Sequence, residues 1–226
     1  MEYGHRKFES SIGGQLLLPK YVFHGTTSSV LPAMSGRLLN SKYWRKTDRD
    51  FGAAFYTTIS FRQAADWAIR QEMYQIGAVG CVVKIHIHPE LLPNELKGLV
   101  FAGETNEEWI RFIVDHRYDC DEEGYDPCGE AHPSLIIGPM ADNKIDVVRA
   151  EFAKQQSNLN NKYNWFYQWM TREYTDHRRL DAMELGNQIA FCNEALNDAL
   201  TLESYFQYDG KRKEWIEYGT SEADTI

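Results

Sequence analysis

The chain has 226 residues with a hydrophobic content of 43% and an aromatic content of 13%, which is enough apolar material for a well-packed core. Its formal net charge of −9 argues against a general polyanion-binding domain, since such domains are usually basic. No stretch is apolar for the length that crosses a bilayer, and the first residues lack the apolar core of a signal peptide, so we expect a cytoplasmic protein without a membrane segment.

The four cysteines do not show the spacing of a disulfide framework, which fits free thiols in a reducing compartment. They are Cys81, Cys120, Cys128 and Cys192. The sequence contains no internal repeat, low-complexity run or Pro/Gly/Ser linker. We therefore expect residues 1–226 to form a single domain, with a core at about 20–208 and flexible ends.

Apolar runs and helix-capping signals predict an irregular mixture of strands and helices. The predicted strands cover 20–24, a short stretch within 50–60, 80–92, 134–139, the beginning of 187–196, and 201–208. The predicted helices cover 61–77, 105–118, 143–156 and 160–174. For the second helix, Thr105 is a candidate N-cap with Glu108 three residues on. Because strands and helices do not alternate regularly, the fold class is predicted to be α+β.

One acidic segment, 119–130, partly matches a calcium-binding loop of the EF-hand type. However, Asp126 stands where an apolar residue is expected, Pro127 follows it, and no helix is predicted after the segment. The sequence therefore favours an acidic surface loop.

Cysteine and histidine residues also provide candidate metal ligands. Cys120, Cys128 and His132 could supply three zinc ligands, but no Cys-x-x-Cys pair fixes them and a fourth ligand is not evident. His86 and His88 share one face of a predicted strand, where we expect them to face solvent. We therefore predict no metal site.

Three segments, taken in order, indicate a catalytic site. "YVFHGTT" (21–27) places His24 at the predicted end of a strand, followed by a glycine that lets a ligand approach the backbone. "GAAFYTTISFRQAADWA" (52–68) places an aromatic strand before a helix that carries Trp67. "NQIAF" (187–191) opens a late strand.

Together these segments resemble the catalytic segments of the PARP and diphtheria-toxin branch of the ADP-ribosyltransferases. The matching positions are His24-Gly25-Thr26, then Phe55-Tyr56-Thr57 with Trp67, and finally Asn187-Gln188-Ile189. The chain is similar over roughly 20–205 to a bacterial domain family of unassigned function placed in that superfamily. The resemblance implies split mixed β-sheets with flanking helices and NAD as a substrate, without a metal.

The resemblance also implies a role for each matching residue. His24 would hydrogen-bond a ribose hydroxyl, and the backbone of Gly25 would bind the nicotinamide carboxamide. Tyr56 and Trp67 would stack on the two faces of the nicotinamide ring. Thr26 would contact the adenosine ribose.

Gln188 departs from the family pattern, which prefers a glutamate at this position. Glutamine still forms hydrogen bonds, but it carries no charge and cannot act as a base. We therefore expect transfer of single ADP-ribose units rather than polymer synthesis. Glu184 and Glu194 are alternative sources of a carboxylate, although neither occupies the motif position.

The acceptor of the ADP-ribose is expected to be RNA or protein. The segment 160–179 interleaves aromatic residues with a basic end, a pattern that suits either stacking on single-stranded bases or a helix packed on the core. The resemblance also implies a bacterial toxin-type enzyme of a toxin–antitoxin or phage-defence system, with an antitoxin or other inhibitor as a partner. The alternatives are an NAD glycohydrolase and an inactive NAD- or protein-binding module.

Overall fold

A computed structural model describes residues 17–44, 49–101, 106–117, 126–141, 145–155, 161–171 and 186–220. The strands are β1 (Tyr21–Thr27), β2 (Phe55–Thr57), β3 (Gly80–Ile87), β4 (Gly98–Val100), β5 (Leu135–Pro139), β6 (Asn187–Phe191), β7 (Leu200–Asp209) and β8 (Glu214–Gly219). The α-helices are α1 (Leu31–Gly36), α2 (Phe61–Glu72), α3 (Glu107–Arg117), α4 (Ile145–Gln155) and α5 (Lys162–Thr171). Short 3-10 helices cover Ser41–Tyr43, Pro89–Leu91, Gly129–Ala131 and Glu194–Ala199.

The strands form two four-stranded sheets within one α+β domain, as the sequence predicted for the fold class. The first sheet has the order β1-β3-β7-β8 and is antiparallel throughout. The second has the order β2-β6-β5-β4 and is mixed, because β4 and β5 run parallel.

The two sheets are joined by a backbone bridge between Phe23 in β1 and Thr58 just after β2. Each residue donates its N–H to the carbonyl of the other, over 2.7 and 2.9 Å. β2 continues into the second sheet, whereas β1 pairs on its other side with β3. The sheets therefore diverge at this bridge and leave space between the edge of β1 and the beginning of β6.

A buried apolar cluster joins the two sheets. It contains Val83, Ile85 and Ile87 of β3 together with Leu135, Ile189 and Phe191 of the second sheet. A second cluster packs α3 and α5 against the second sheet; its fully buried members include Trp109, Ile110, Ile136, Phe166 and Ala190. Burial of such side chains stabilises each interface by roughly 1.5–3 kcal/mol per large residue.

Helix α2 covers the first sheet through small residues. Ala64, Ala65 and Ala68 pack against Val82 of β3. The approach to β1 is so close that a Cβ atom on Gly25 would lie 2.2 Å from the carbonyl oxygen of Ala64. Ser60 begins the helix, since its hydroxyl accepts a hydrogen bond from the N–H of Gln63.

Most predicted elements are present, but several boundaries differ. The prediction that His24 ends its strand is wrong, because Gly25, Thr26 and Thr27 continue to pair with β3. The predicted strand 80–92 ends at Ile87, and the predicted helix 61–77 ends at Glu72. The side chain of Asn106 accepts a hydrogen bond from the N–H of Trp109 in α3, while the predicted cap Thr105 lies outside the described residues.

Three short elements, α1, β4 and β8, were not predicted from the sequence. β8 pairs with β7 and extends the first sheet to Gly219, beyond the predicted end of the core at 208. None of the helices in the described part of the chain is long and apolar enough to cross a membrane.

Candidate functional site

A cavity of about 640 Å³ opens where the two sheets diverge. A volume of this size lies within the range of small-molecule sites. Five of the six predicted site residues line it: His24, Gly25, Tyr56, Trp67 and Gln188. The sixth, Thr26, is buried and is not among the lining residues. The structure therefore brings together three segments that are far apart in the sequence.

His24 has a defined tautomer in this cavity. Its Nδ1 lies 2.7 Å from the carbonyl oxygen of Tyr56, and because a carbonyl can only accept, Nδ1 carries the proton. Burial lowers the pKa of His24 to about 4, and the positive charge of Arg49 also lowers it. The neutral ring stacks on Phe55 with 4.4 Å between centroids. Its Nε2 is therefore a hydrogen-bond acceptor at neutral pH.

Gly25 presents polar backbone groups at the open edge of β1. In an antiparallel ladder, successive residues direct their N–H and C=O to alternate sides. Because Phe23 directs these groups away from β3 to Thr58, Gly25 two residues later also directs them away from β3. β2 does not pair with β1 at Gly25, since it pairs with β6 instead. No hydrogen-bond partner for these groups of Gly25 is found within the described ranges.

Tyr56 and Trp67 supply aromatic surfaces to the cavity. The Tyr56 hydroxyl donates to the carbonyl of Gly52 over 2.8 Å and accepts from the N–H of Phe51 over 3.0 Å. Burial raises the pKa of Tyr56 well above its ordinary value, and the charge of Asp50 raises it further. The hydroxyl is thus fully protonated and holds the 51–52 backbone, so the ring is the part of Tyr56 that a ligand would contact.

Trp67 lies on α2 and is half-buried. The guanidinium of Arg49 lies 5.9 Å from the centre of its ring, in a cation–π contact. Both residues line the cavity, so the aromatic wall carries a positive charge beside it.

Gln188 lies at the beginning of β6 and contacts a buried carboxylate. Its Nε2 donates to Oδ2 of Asp50 over 2.8 Å. The same oxygen accepts from the N–H of Ala141 over 2.9 Å, and the other oxygen, Oδ1, accepts from Nη1 of Arg117. Because Asp50 holds the amide nitrogen, the orientation of the amide is fixed, and Oε1 of Gln188 is left as an acceptor.

Sequence reasoning missed Arg49, Asp50 and Arg117, all of which line the cavity. Arg49 and Asp50 lie two to three residues before the aromatic segment 52–68 that was singled out, and this proximity is a signal that could have identified them. Arg117 ends α3, 67 positions after Asp50, and nothing in the local sequence links the two.

Of the two alternative carboxylates, only Glu194 can be placed in the structure. Glu194 is not among the lining residues; it contacts the backbone N–H of Ser41 and forms an ion pair with Arg37 at 3.3 Å. Glu184 lies outside the described residues.

The aromatic segment 160–179 is described only to Thr171. Phe166 is fully buried, and Trp165 and Trp169 pack partly against the second apolar cluster, as expected for a helix that contributes to the core. The basic end of the segment, with Arg178 and Arg179, lies outside the described residues.

Some of the candidate metal ligands can be placed. Residues 118–125, which hold Cys120 and most of the calcium-like loop, lie outside the described part of the chain. Cys81, Cys128 and Cys192 are free thiols. His86 and His88 lie side by side and partly exposed, with 4.2 Å between ring centroids.

A family model described as "Protein of unknown function (DUF3990)" matches residues 21–202. No curated protein and no solved structure matches the chain. The matched region begins with β1, ends within β7 and contains every residue that lines the cavity.

Proposed function

The chain belongs to the DUF3990 family of unknown function, and we propose that it is a mono-ADP-ribosyltransferase that uses NAD as its substrate. One observation carries the proposal: His24, Gly25, Tyr56, Trp67 and Gln188 line a single cavity at the divergence of the two sheets. These residues come from the three segments that resemble the catalytic segments of the ADP-ribosyltransferases.

The nicotinamide end of NAD matches the edge of β1 and the aromatic walls. A carboxamide offers one donor and one acceptor side, and Gly25 offers an N–H and a C=O on one edge of the strand. The rings of Tyr56 and Trp67 are the surfaces on which the planar nicotinamide would stack.

The ribose hydroxyls match two acceptors whose orientation is fixed. His24 Nε2 accepts because Nδ1 donates to the Tyr56 carbonyl. Gln188 Oε1 accepts because Nε2 donates to Asp50. Contact with the buried carboxylate polarises the amide, which strengthens Oε1 as an acceptor. In this way Gln188 takes over the accepting role of the expected glutamate.

Positive charge in the cavity suits the diphosphate of NAD. Arg49 lies on the same wall as Trp67, and its guanidinium is suited to phosphate oxygens. The adjacent Asp50 and Arg117 form a buried ion pair, with side chains 7% and 10% exposed. Because their opposite charges offset each other, that part of the wall is close to neutral.

In the proposed reaction, the bond between the ribose C1′ and the nicotinamide nitrogen breaks, and its electron pair leaves with neutral nicotinamide. A nucleophilic atom of the acceptor forms the new bond to C1′ and loses its proton to solvent. The protein stabilises the positively charged ribose by orientation and by the acceptor oxygen of Gln188. Gln188 is not a base, which supports transfer of single units to an acceptor that is already nucleophilic.

The acceptor in this proposal is an RNA or a protein, and the enzyme acts as a cytoplasmic toxin-type transferase controlled by an inhibitor protein. The test is incubation with NAD labelled in the adenylate part and a cell lysate, followed by protease or ribonuclease digestion. Label that becomes acid-soluble after one digestion identifies the acceptor class and supports the proposal. Free ADP-ribose alone would instead indicate an NAD glycohydrolase, and unchanged NAD would indicate an inactive binding module.

A further inference from the structure

A second cluster of polar side chains lies behind the loop that carries Asp50, outside the cavity. It consists of His116 in α3, Asp126, and His132 after the 3-10 helix Gly129–Ala131. His116 Nε2 lies 3.5 Å from Oδ1 of Asp126, and His132 Nε2 lies 3.9 Å from Oδ2. The three ligand-type atoms all lie within 4.8 Å of one another.

Hydrogen bonds orient both imidazole rings toward the same point. His116 Nδ1 lies 2.7 Å from the carbonyl oxygen of Phe112, and His132 Nδ1 lies 2.9 Å from that of Pro133. A carbonyl accepts only, so Nδ1 of His116 carries the proton and its Nε2 has a lone pair; His132 has the same arrangement when its proton is on Nδ1. Histidines that bind metals typically donate the other ring N–H to a backbone carbonyl or a carboxylate in this way.

One donor is present at this point, the backbone N–H of Cys128, which donates to Oδ1 of Asp126 over 2.8 Å, but among the described residues no donor to the Nε2 of either histidine is found. His116 is 2% exposed, and its Nε2 is buried without a hydrogen-bond partner among the described residues. His132 Nε2 also lies 3.2 Å from the carbonyl oxygen of Phe51. When both histidines are protonated on Nδ1, two imidazole lone pairs, a carboxylate and a carbonyl face one another, an arrangement that a bound cation would stabilise.

Although the sequence alone predicted no metal site, we propose from this geometry that His116, Asp126 and His132 bind a zinc ion. Zinc takes imidazole nitrogens and carboxylate oxygens at about 2.0–2.2 Å in tetrahedral geometry, so its ligand atoms lie about 3.3–3.6 Å apart. The two nitrogen–oxygen separations, 3.5 and 3.9 Å, are close to these values, and all three ligand atoms lie within 4.8 Å of one another, so small side-chain movements would bring them to this spacing. Asp126 is 40% exposed, which gives the ion a path from solvent and a water molecule access to the fourth position.

The zinc ion would join separate parts of the fold, and its binding does not depend on the proposed reaction with NAD. A Cβ atom on Gly52 would lie 3.1 Å from His116 and 3.4 Å from His132, so the rings pack directly against the loop after Asp50. Arg117, next to His116 in α3, forms the ion pair with Asp50. The ion would therefore connect α3 and the 126–132 segment to the loop that positions the cavity wall.

A doubly protonated His132 is the competing explanation. It would donate to Pro133 and Phe51 at once and pair with Asp126, without any metal. The two explanations differ in zinc stoichiometry, which is measurable without NAD. The experiment uses protein freed of metal by a chelator and then titrated with zinc, with bound metal measured by competition with a chromophoric chelator and stability measured by thermal melting.

We expect wild type to bind one zinc ion per chain and to melt at a higher temperature with zinc than without it. Asp126→Asn and His116→Gln should weaken binding by at least about tenfold, the lower limit for losing even an outer partner of a metal ligand. Asp126→Asn is the milder variant, because its side chain is partly exposed, so its fold can be checked by melting without zinc.

His88→Ala is the matched control, since it removes a partly exposed histidine that pairs with His86 elsewhere. It should bind zinc like wild type. The proposal is overturned if wild type binds no zinc, if folded Asp126→Asn binds zinc as tightly as wild type, or if binding is lost in His88→Ala.

Discussion

The side-chain nitrogen of Gln188 donates to the carboxylate of Asp50 over 2.8 Å, and both residues are buried in the wall of the cavity. This contact determines which end of the amide faces a ligand. With Nε2 held by Asp50, Oε1 is the accepting atom, as a carboxylate oxygen of glutamate would be. The neutral residue at the motif position is therefore paired with a charged residue from another segment.

Exchanging the members of this pair provides the first prediction. Gln188→Glu alone would place two carboxylates in contact in a buried place, so we expect a lower melting temperature. Adding Asp50→Asn should recover part of that loss, because the amide and the carboxylate have then only exchanged positions. Gln188→Ala should reduce turnover by roughly 100- to 1000-fold, as for other positioned polar groups in transition-state sites.

Melting curves and nicotinamide release of the three proteins, beside wild type, test this pairing. A Gln188→Glu variant as stable as wild type would show that the amide does not depend on Asp50. Unchanged nicotinamide release by Gln188→Ala would remove Gln188 from the site.

The second prediction compares two tryptophans. Trp67→Ala removes an aromatic surface of the cavity and should weaken NAD binding by about tenfold, equivalent to about 1.4 kcal/mol. Trp169→Ala is the control, because Trp169 stacks on Trp165 at 5.1 Å and does not line the cavity. It should reduce stability and leave NAD affinity unchanged. Equal dissociation constants for the two variants, measured by calorimetry, would argue against stacking on Trp67.

The third prediction concerns the pH dependence of stability. In the unfolded chain His24 binds a proton below its ordinary pKa of about 6.5, whereas burial lowers its folded pKa to about 4. Between these values the unfolded state binds more protons, so the free energy of unfolding falls as the pH is lowered from about 6.5 to about 4.

The comparison with His24→Gln isolates this contribution, since that variant has no proton to bind at the position. Urea unfolding at several pH values between 4.5 and 7.5 should therefore show a weaker pH dependence for His24→Gln than for wild type. The same pH dependence in both proteins would mean that His24 is not held neutral.

The fourth prediction tests the close contact between β1 and α2. Gly25→Ala would place a methyl group 2.2 Å from the Ala64 carbonyl oxygen, so α2 must shift, at a cost of about 1–3 kcal/mol in stability. Gly36→Ala is the control, because a Cβ atom there would meet no neighbouring side chain or strand within 4 Å. Its effect should stay within about 0.5 kcal/mol. Equal urea midpoints for the two variants would contradict this contact.

Strong local patterns made much of the fold predictable from the sequence. The alternating residues of β3 and the capped apolar faces of α2 and α3 identify these elements without tertiary information. β4 and β8 were missed because they are short, partly exposed strands that depend on pairing with β5 and β7. Such pairing is not visible in a local window.

That His24, Gly25 and Gln188 line one cavity could be predicted from the sequence, because they belong to an ordered set of motifs. The side chains that these residues contact could not be predicted from the sequence. Asp50 reaches Gln188 across 138 positions of sequence, and only the fold shows that the two side chains meet. The same holds for His116 and His132, which have no metal-binding spacing but lie together in the structure.

The central claim, that this cavity cleaves NAD, is tested most directly by nicotinamide release from wild type and His24→Ala. His88→Ala serves as the control for loss of a histidine away from the cavity, and melting curves establish that all three proteins are folded. We predict that wild type and His88→Ala release nicotinamide at similar rates in the presence of lysate, and that folded His24→Ala releases none. A His24→Ala protein with wild-type melting and at least about half of the wild-type rate, well short of the hundredfold loss expected for a positioned group, would contradict the account.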